Sequence, residues 1–112
     1  FIGIAYATEV SNIETIVVEE PVLVPEITQV SIDFKGGRKS VYTVGEEITF
    51  ISSIEGIALE QLDINYQWQY KLSDEDVWYD IPGANSSEYT FTASMEDLNK
   101  YYRLAVTAII IE

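Results

Sequence analysis

Three carboxylate clusters are the first residues that could do chemistry: Glu46-Glu47, Asp74-Glu75-Asp76 with Asp80, and Glu96-Asp97. Two carboxyls act as general acid and base when a cleft pushes their pKa values apart. All three clusters fall in stretches that read as turns, where carboxylates stay solvated. The 74–80 cluster also offers oxygen ligands for calcium, but the ligand spacing of an EF-hand is absent. Trp78 and Tyr79 stand beside it and, with Asp74 and Asp76, form a candidate ligand loop, since such rings give sugars a face to stack on. The chain has no cysteine and no histidine. Thiol catalysis, the usual zinc sites, disulfides and imidazole acid–base chemistry are therefore excluded. No nucleophile elbow, phosphate loop or dinucleotide fingerprint occurs. Asn85-Ser86-Ser87 fits a glycosylation acceptor. The expectation is a protein that is not an enzyme, with no cofactor and no metal centre.

The elements that must position these residues belong to one domain. The sequence has 112 residues, 47% of them apolar, enough for a modest core. The formal charge is −13, from 19 acidic and 6 basic residues. Such a surface repels nucleic acid and anionic membrane. It suits calcium, a basic partner, or plain solubility without non-specific association. No apolar run approaches the ~18 residues of a membrane helix. "FIGIAYA" opens the sequence, and Ala5-Tyr6-Ala7 also fits a signal-peptide cleavage pattern, which would leave a mobile arm from Thr8 onward.

Periodicity is two almost throughout, the mark of strands. In "ITQVSIDF" (27–34), Thr28, Val30, Ile32 and Phe34 share a face. In "VYTVGEEITFISSIEG" (41–56) a short strand and a Val44-Gly45 turn precede Ile48, Phe50, Ser52 and Ile54 on one face. Residues 57–63 read as a loop or one helical turn, and "INYQWQYKL" (64–72) as a strand. A brief strand is expected around Val77–Tyr79, then a Pro82-Gly83 turn and a strand at 88–93. Residues 94–100 read as a connection with one turn of helix, Ser94 capping and Asp97 three residues on. "YYRLAVTAIII" (101–111) is a long strand. Short strands at such spacing indicate an all-β sandwich or barrel. "EEPVLVPE" (19–26) has two prolines around an extended apolar trio and reads as a semi-rigid linker.

Within "NYQWQY" (65–70), Tyr66, Trp68 and Tyr70 alternate with Asn65, Gln67 and Gln69. The aromatic side is read as interior rather than as a stacking platform. That strand, the run "WYDIPGANSSEYTF" and "EDLNKYYRLAVT" together resemble the bacterial immunoglobulin-like domains of surface and secreted proteins, often found in tandem. The resemblance covers about 26–111 and is good from Val44 onward. It implies an extracellular or cell-surface Greek-key sandwich in which Trp68 is the core tryptophan of strand C. Phe50, Tyr102, Leu104 and Val106 would join it in the core. Asp97 and Tyr102 would form the corner before strand F, the tyrosine hydroxyl bonding back to upstream backbone. Tyr101 is the alternative, but Tyr102 shares a face with Leu104 and Val106. Ser52 and Leu104 stand where disulfide-bearing relatives carry cysteines, so packing alone must join the sheets.

A sandwich of this kind closes with strand G, and residues 101–111 read as strand F with nothing after it to make G. "EVSNIETIVV" (9–18) looks like such a final strand, with Val10, Ile13, Ile16, Val17 and Val18 as its apolar residues. "FIGIAYA" resembles the tail of a strand F before it. Residues 1–18 thus read as a G-like strand segment, 19–26 as the linker and 27–112 as the immunoglobulin-like domain lacking its own strand G. A strand of ~8 residues spans ~26 Å and the linker reaches at most ~27 Å, so self-closure would leave no slack. Donation to a neighbouring copy needs no stretching. Such a head-to-tail contact does not close and builds a fibre. The same placement would serve consecutive modules of a tandem repeat. The expected function is therefore a non-catalytic structural module of a filament, stalk or adhesin, with copies of itself as partners. The alternative is a ligand- or glycan-binding module of an adhesin or phage particle, contacting a host surface through its end loops.

Overall fold

The computed structural model describes residues 5–6, 17–18 and 23–111. Its strands are β1 (Ala5–Tyr6), β2 (Val17–Val18), β3 (Glu26–Phe34), β4 (Glu47–Ile57), β5 (Leu62–Leu72), β6 (Trp78–Asp80), β7 (Glu88–Thr92) and β8 (Lys100–Ile110). Two short 3₁₀ turns, Leu59–Gln61 and Met95–Asn99, join β4 to β5 and β7 to β8. The strands form two antiparallel three-stranded sheets, ordered β3-β4-β7 and β6-β5-β8. β1 and β2 pair with each other in a separate two-stranded sheet, Ala5 opposite Val18 and Tyr6 opposite Val17.

Period-two patterning makes this arrangement. Val30, Ile32 and Phe34 of β3 stand opposite Ile54, Ser52 and Phe50 of β4, so one face of that sheet is apolar. On the other sheet Tyr66, Trp68 and Tyr70 stand opposite Val106, Leu104 and Tyr102. The two apolar faces meet. Phe50 contacts Trp68 at 5.9 Å and Tyr102 at 5.3 Å between ring centroids, and on its own sheet it touches Phe34 at 5.0 Å and Phe91 at 5.4 Å. The core is Ile48, Phe50, Trp68, Ala84 and Ala93, with Tyr102 and Leu104 partly buried against it. Val106 is half-buried, outside that cluster.

Trp68 has no exposed surface, and its neighbourhood explains how so large a ring is accommodated. Residues 81–86 lie across it as a strap. Ile81 accepts a 3.1 Å bond from the Ala84 N–H, closing a turn with Pro82 second and Gly83 third at φ 79°. That is the type II arrangement, in which glycine supplies the positive φ. The strap then bonds Trp68 three ways: Trp68 N–H to the Ala84 carbonyl at 3.0 Å, Ile81 N–H to the Trp68 carbonyl at 3.0 Å, and the indole N–H to the Ser86 carbonyl at 2.8 Å. The buried indole donor is thereby satisfied.

Three expectations need correction. No strand forms at 41–43, because Tyr42 turns inward: it stacks on Phe34 at 5.7 Å and its hydroxyl accepts the Lys39 N–H at 2.8 Å. The strand expected at Val77–Tyr79 sits one residue later, Trp78–Asp80, fixed by pairing with Lys71–Gln69. The Tyr102 hydroxyl donates to the Asp97 carboxylate at 2.7 Å rather than to backbone. Asp97 is within reach because its other carboxylate oxygen accepts the Ser94 N–H at 2.7 Å, so the side chain that starts the turn also anchors β8.

Candidate functional site

The open edge of β8 is the main candidate. β8 bonds β5 along eleven paired positions, Leu62–Ile110 through Leu72–Lys100. Among the described residues no strand pairs with its other edge. A long unpaired edge carries free N–H and C=O groups ready for another strand. Among the described residues nothing covers the core beside it. Val30 and Ile32 point into the sandwich, yet remain 38% and 40% exposed. Ile110 is 52% exposed on the β8 side of the same gap. A single apolar strand laid along β8 would cover all three and satisfy the edge.

Of the residues assigned to an assembly strand, Val10, Ile13 and Ile16 lie outside the described residues. Val17 and Val18 form β2, bonded to β1 and not to β8.

The acidic loop is built differently from its sequence reading. Strand alternation sends Trp78 and Tyr79 to opposite faces. Tyr79 pairs with Tyr70 on the inner face, ring centroids 5.4 Å apart, and its hydroxyl donates to Glu75 at 3.1 Å. That hydrogen bond is the chief reason its hydroxyl is held above the ordinary tyrosine value. Trp78 lies on the outer face opposite Lys71, under the Arg103 guanidinium at 4.3 Å. Arg103 donates to Gln69 at 2.7 Å, and Gln69 donates to Asp80 at 2.7 Å. One face of the Trp78 ring is thus already covered by a cation. Asp74 and Asp76 are exposed, and among the described residues no three carboxylates converge as metal ligands. Of the candidate ligand loop, Trp78 and Tyr79 therefore do not share one face of the strand.

Glu46-Glu47 likewise does not make an acid–base pair. Glu46 accepts a 2.7 Å bond from Lys39, which holds its carboxyl below the ordinary value, while Glu47 heads β4.

The sequence reading passed over a second feature. A cavity of about 380 Å³ opens at the end of the sandwich where β3 stops and β8 starts. Phe34, Tyr42, Met95 and Leu98 line it, together with Arg38 and Lys100. The available signal was the spacing of the scarce cations: Lys35, Arg38 and Lys39 crowd five residues of a chain with only six basic side chains.

No family model, curated protein or solved structure matches this chain.

Proposed function

We propose that the protein is a non-catalytic, immunoglobulin-like structural module of the cell surface or extracellular space, joined head-to-tail to its neighbours by strand complementation. In this reading β3-β4-β7 and β6-β5-β8 would be strands A-B-E and C′-C-F, and among the described residues no strand lies beside β8 where strand G would pair. The observation that carries the reading is the exposure of Val30 and Ile32, 38% and 40%, on the inner face of β3 beside the unpaired edge of β8. The pairing of Ala5–Tyr6 with Val17–Val18 is compatible with this reading, since the F–G end of a preceding module would pair antiparallel in the same way. In this reading the G-like segment 9–18 exchanges its β1 partner for the β8 edge of a neighbour, whether that neighbour is a separate chain or the preceding module of one polypeptide.

The test compares the mass distribution of residues 1–112 and 19–112 by light scattering and negative-stain microscopy. Concentration-dependent head-to-tail polymers from the first, and an unstable monomer from the second that a peptide of residues 9–18 stabilises, are the expected results. If 1–112 stays monomeric and the peptide does not bind 19–112, the reading fails.

A further inference from the structure

The two ends of the sandwich differ in charge and shape. At one end the β4–β5 connection brings together Glu26, Glu55, Glu60 and Asp63, all exposed. No lysine or arginine occurs in 23–28, 54–65 or 107–111, the stretches that form this end. At the opposite end the β7–β8 connection frames the 380 Å³ cavity. Its floor is aromatic, its rim carries Met95 at 65% and Leu98 at 75% exposure, and Arg38 and Lys100 stand over it. Lys39, also at this cavity, is held by Glu46, and Lys35 pairs with Glu88; these are the two ion pairs among the described residues. Arg38 and Lys100 instead lie over the rings of Phe34 and Tyr70, at 5.8 and 4.9 Å, and make no ion pair among the described residues; Asp97, the carboxylate at this cavity, accepts from Tyr102 and from the Ser94 N–H. Leu23 and Val24 of the linker are 60% and 67% exposed, beside Glu26 at the acidic end.

We infer that the cavity is the seat for the acidic end of the next copy of this chain, with Leu23 and Val24 of that copy's linker entering the apolar floor and its Glu26 and Glu60 facing Arg38 and Lys100. The inference rests on the head-to-tail reading above and gives it a second contact. Strand direction supplies the geometry. A strand added antiparallel to β8 runs from its Ile110 end toward its Lys100 end. The linker that follows that strand therefore emerges at the cavity, and the acidic end of its own module follows. Apolar residues cover the exposed rim, and opposite charges set the register, the usual division of labour at an interface.

The experiment uses the full chain and measures its association by sedimentation velocity. Arg38→Glu with Lys100→Glu reverses the cavity rim; Glu26→Lys with Glu60→Lys reverses the acidic end. Each pair should weaken association by about tenfold or more, and the two pairs combined in one chain should restore most of it. Leu23→Asp with Val24→Asp, at positions already exposed and so harmless to the fold, should weaken association by a similar factor. Circular dichroism checks that each variant keeps its strands. Wild-type association that depends on residues 1–18 but is indifferent to all three pairs overturns the docking inference and leaves strand complementation standing. A wild-type chain that does not associate overturns the docking inference, and the head-to-tail reading falls with it if the 9–18 peptide also fails to bind 19–112.

Discussion

Phe50 touches rings from four other elements or strands at once: Phe34, Trp68, Phe91 and Tyr102. In a chain without cysteine this contact does the joining that a disulfide does elsewhere, and Trp68 is its largest member. Trp68→Ala should cost about 3–5 kcal/mol, read as a lowered urea midpoint. Trp68→Phe fills most of the volume but takes the donor from the Ser86 carbonyl, and should still cost about 1–3 kcal/mol. Equal stability of wild type and Trp68→Ala would contradict the packing argument. Tyr102 gives a pH signature. Burial, and then the Asp97 carboxylate it donates to, hold its hydroxyl well above the ordinary tyrosine value. Its neutral form is favoured in the folded state, so its contribution is complete below about pH 10, where an unfolded tyrosine is also neutral, and is lost as pH rises beyond that. Tyr89, raised by burial and by Asp97, acts in the same direction. The urea midpoint should fall above about pH 10, and Tyr102→Phe should make that fall shallower. An unchanged slope in the variant would remove Tyr102 as a cause. Much of this was legible: a tryptophan in mid-strand and the parity of Tyr102 with Leu104 both follow from alternation. The Asp97 partner was not, because choosing between a carboxylate and a carbonyl depends on where the turn at 95–99 puts its side chain.

At the scale of elements, strands with strict alternation were readable and those defined by neighbours were not. β5 and β8 have eleven residues each and carry their period in their own sequence. Residues 41–43 carry the same strand-forming types, yet Tyr42 serves as a plug against Phe34 and draws the segment into a loop. β6 has three residues, too few for a pattern, and its register comes from β5. The β3–β4 pairing holds one close approach the sequence concealed. A Cβ on Gly56 would overlap the Glu26 carbonyl and crowd Leu59, at the bulge between Ile27 and Gln29. Gly56→Ala should therefore cost about 1–3 kcal/mol although the site is exposed, measured by thermal or urea unfolding. The strap offers a milder test. Asn85 donates to the Tyr66 carbonyl at 3.2 Å and to Gln67 at 2.9 Å, so Asn85→Ala should cost about 1 kcal/mol.

For the whole molecule, the all-β class was legible and the ends were not. Charge was visible only as a total of −13, whereas its partition between a wholly acidic end and a cation-bearing cavity required the strands to be placed. The uncovered inner face of β3 was equally hidden, since Val30 and Ile32 look in sequence like ordinary core residues. Hydrogen exchange tests the vacancy directly. In isolated 19–112, alternate amides of β8, those turned away from β5, should exchange fast while their neighbours are protected. Adding the 9–18 peptide should slow that set and leave the other unchanged. Uniform protection before the peptide is added would mean the edge is already filled.

The placement of the two tryptophans has an optical consequence. Trp68 sits sealed among rings, while Trp78 lies on the outer face under a guanidinium. The protein therefore carries one interior and one surface fluorophore of the same kind, ten residues apart in sequence and separated by the β5–β6 turn. Emission from Trp68 should be blue-shifted, inaccessible to a dissolved quencher, and moved to the red by unfolding. That of Trp78 should be quenchable from the start and respond to whatever displaces Arg103. Each replaced singly by phenylalanine would assign the two components, and the chain could then signal, without a label, whether its interior or its surface had changed.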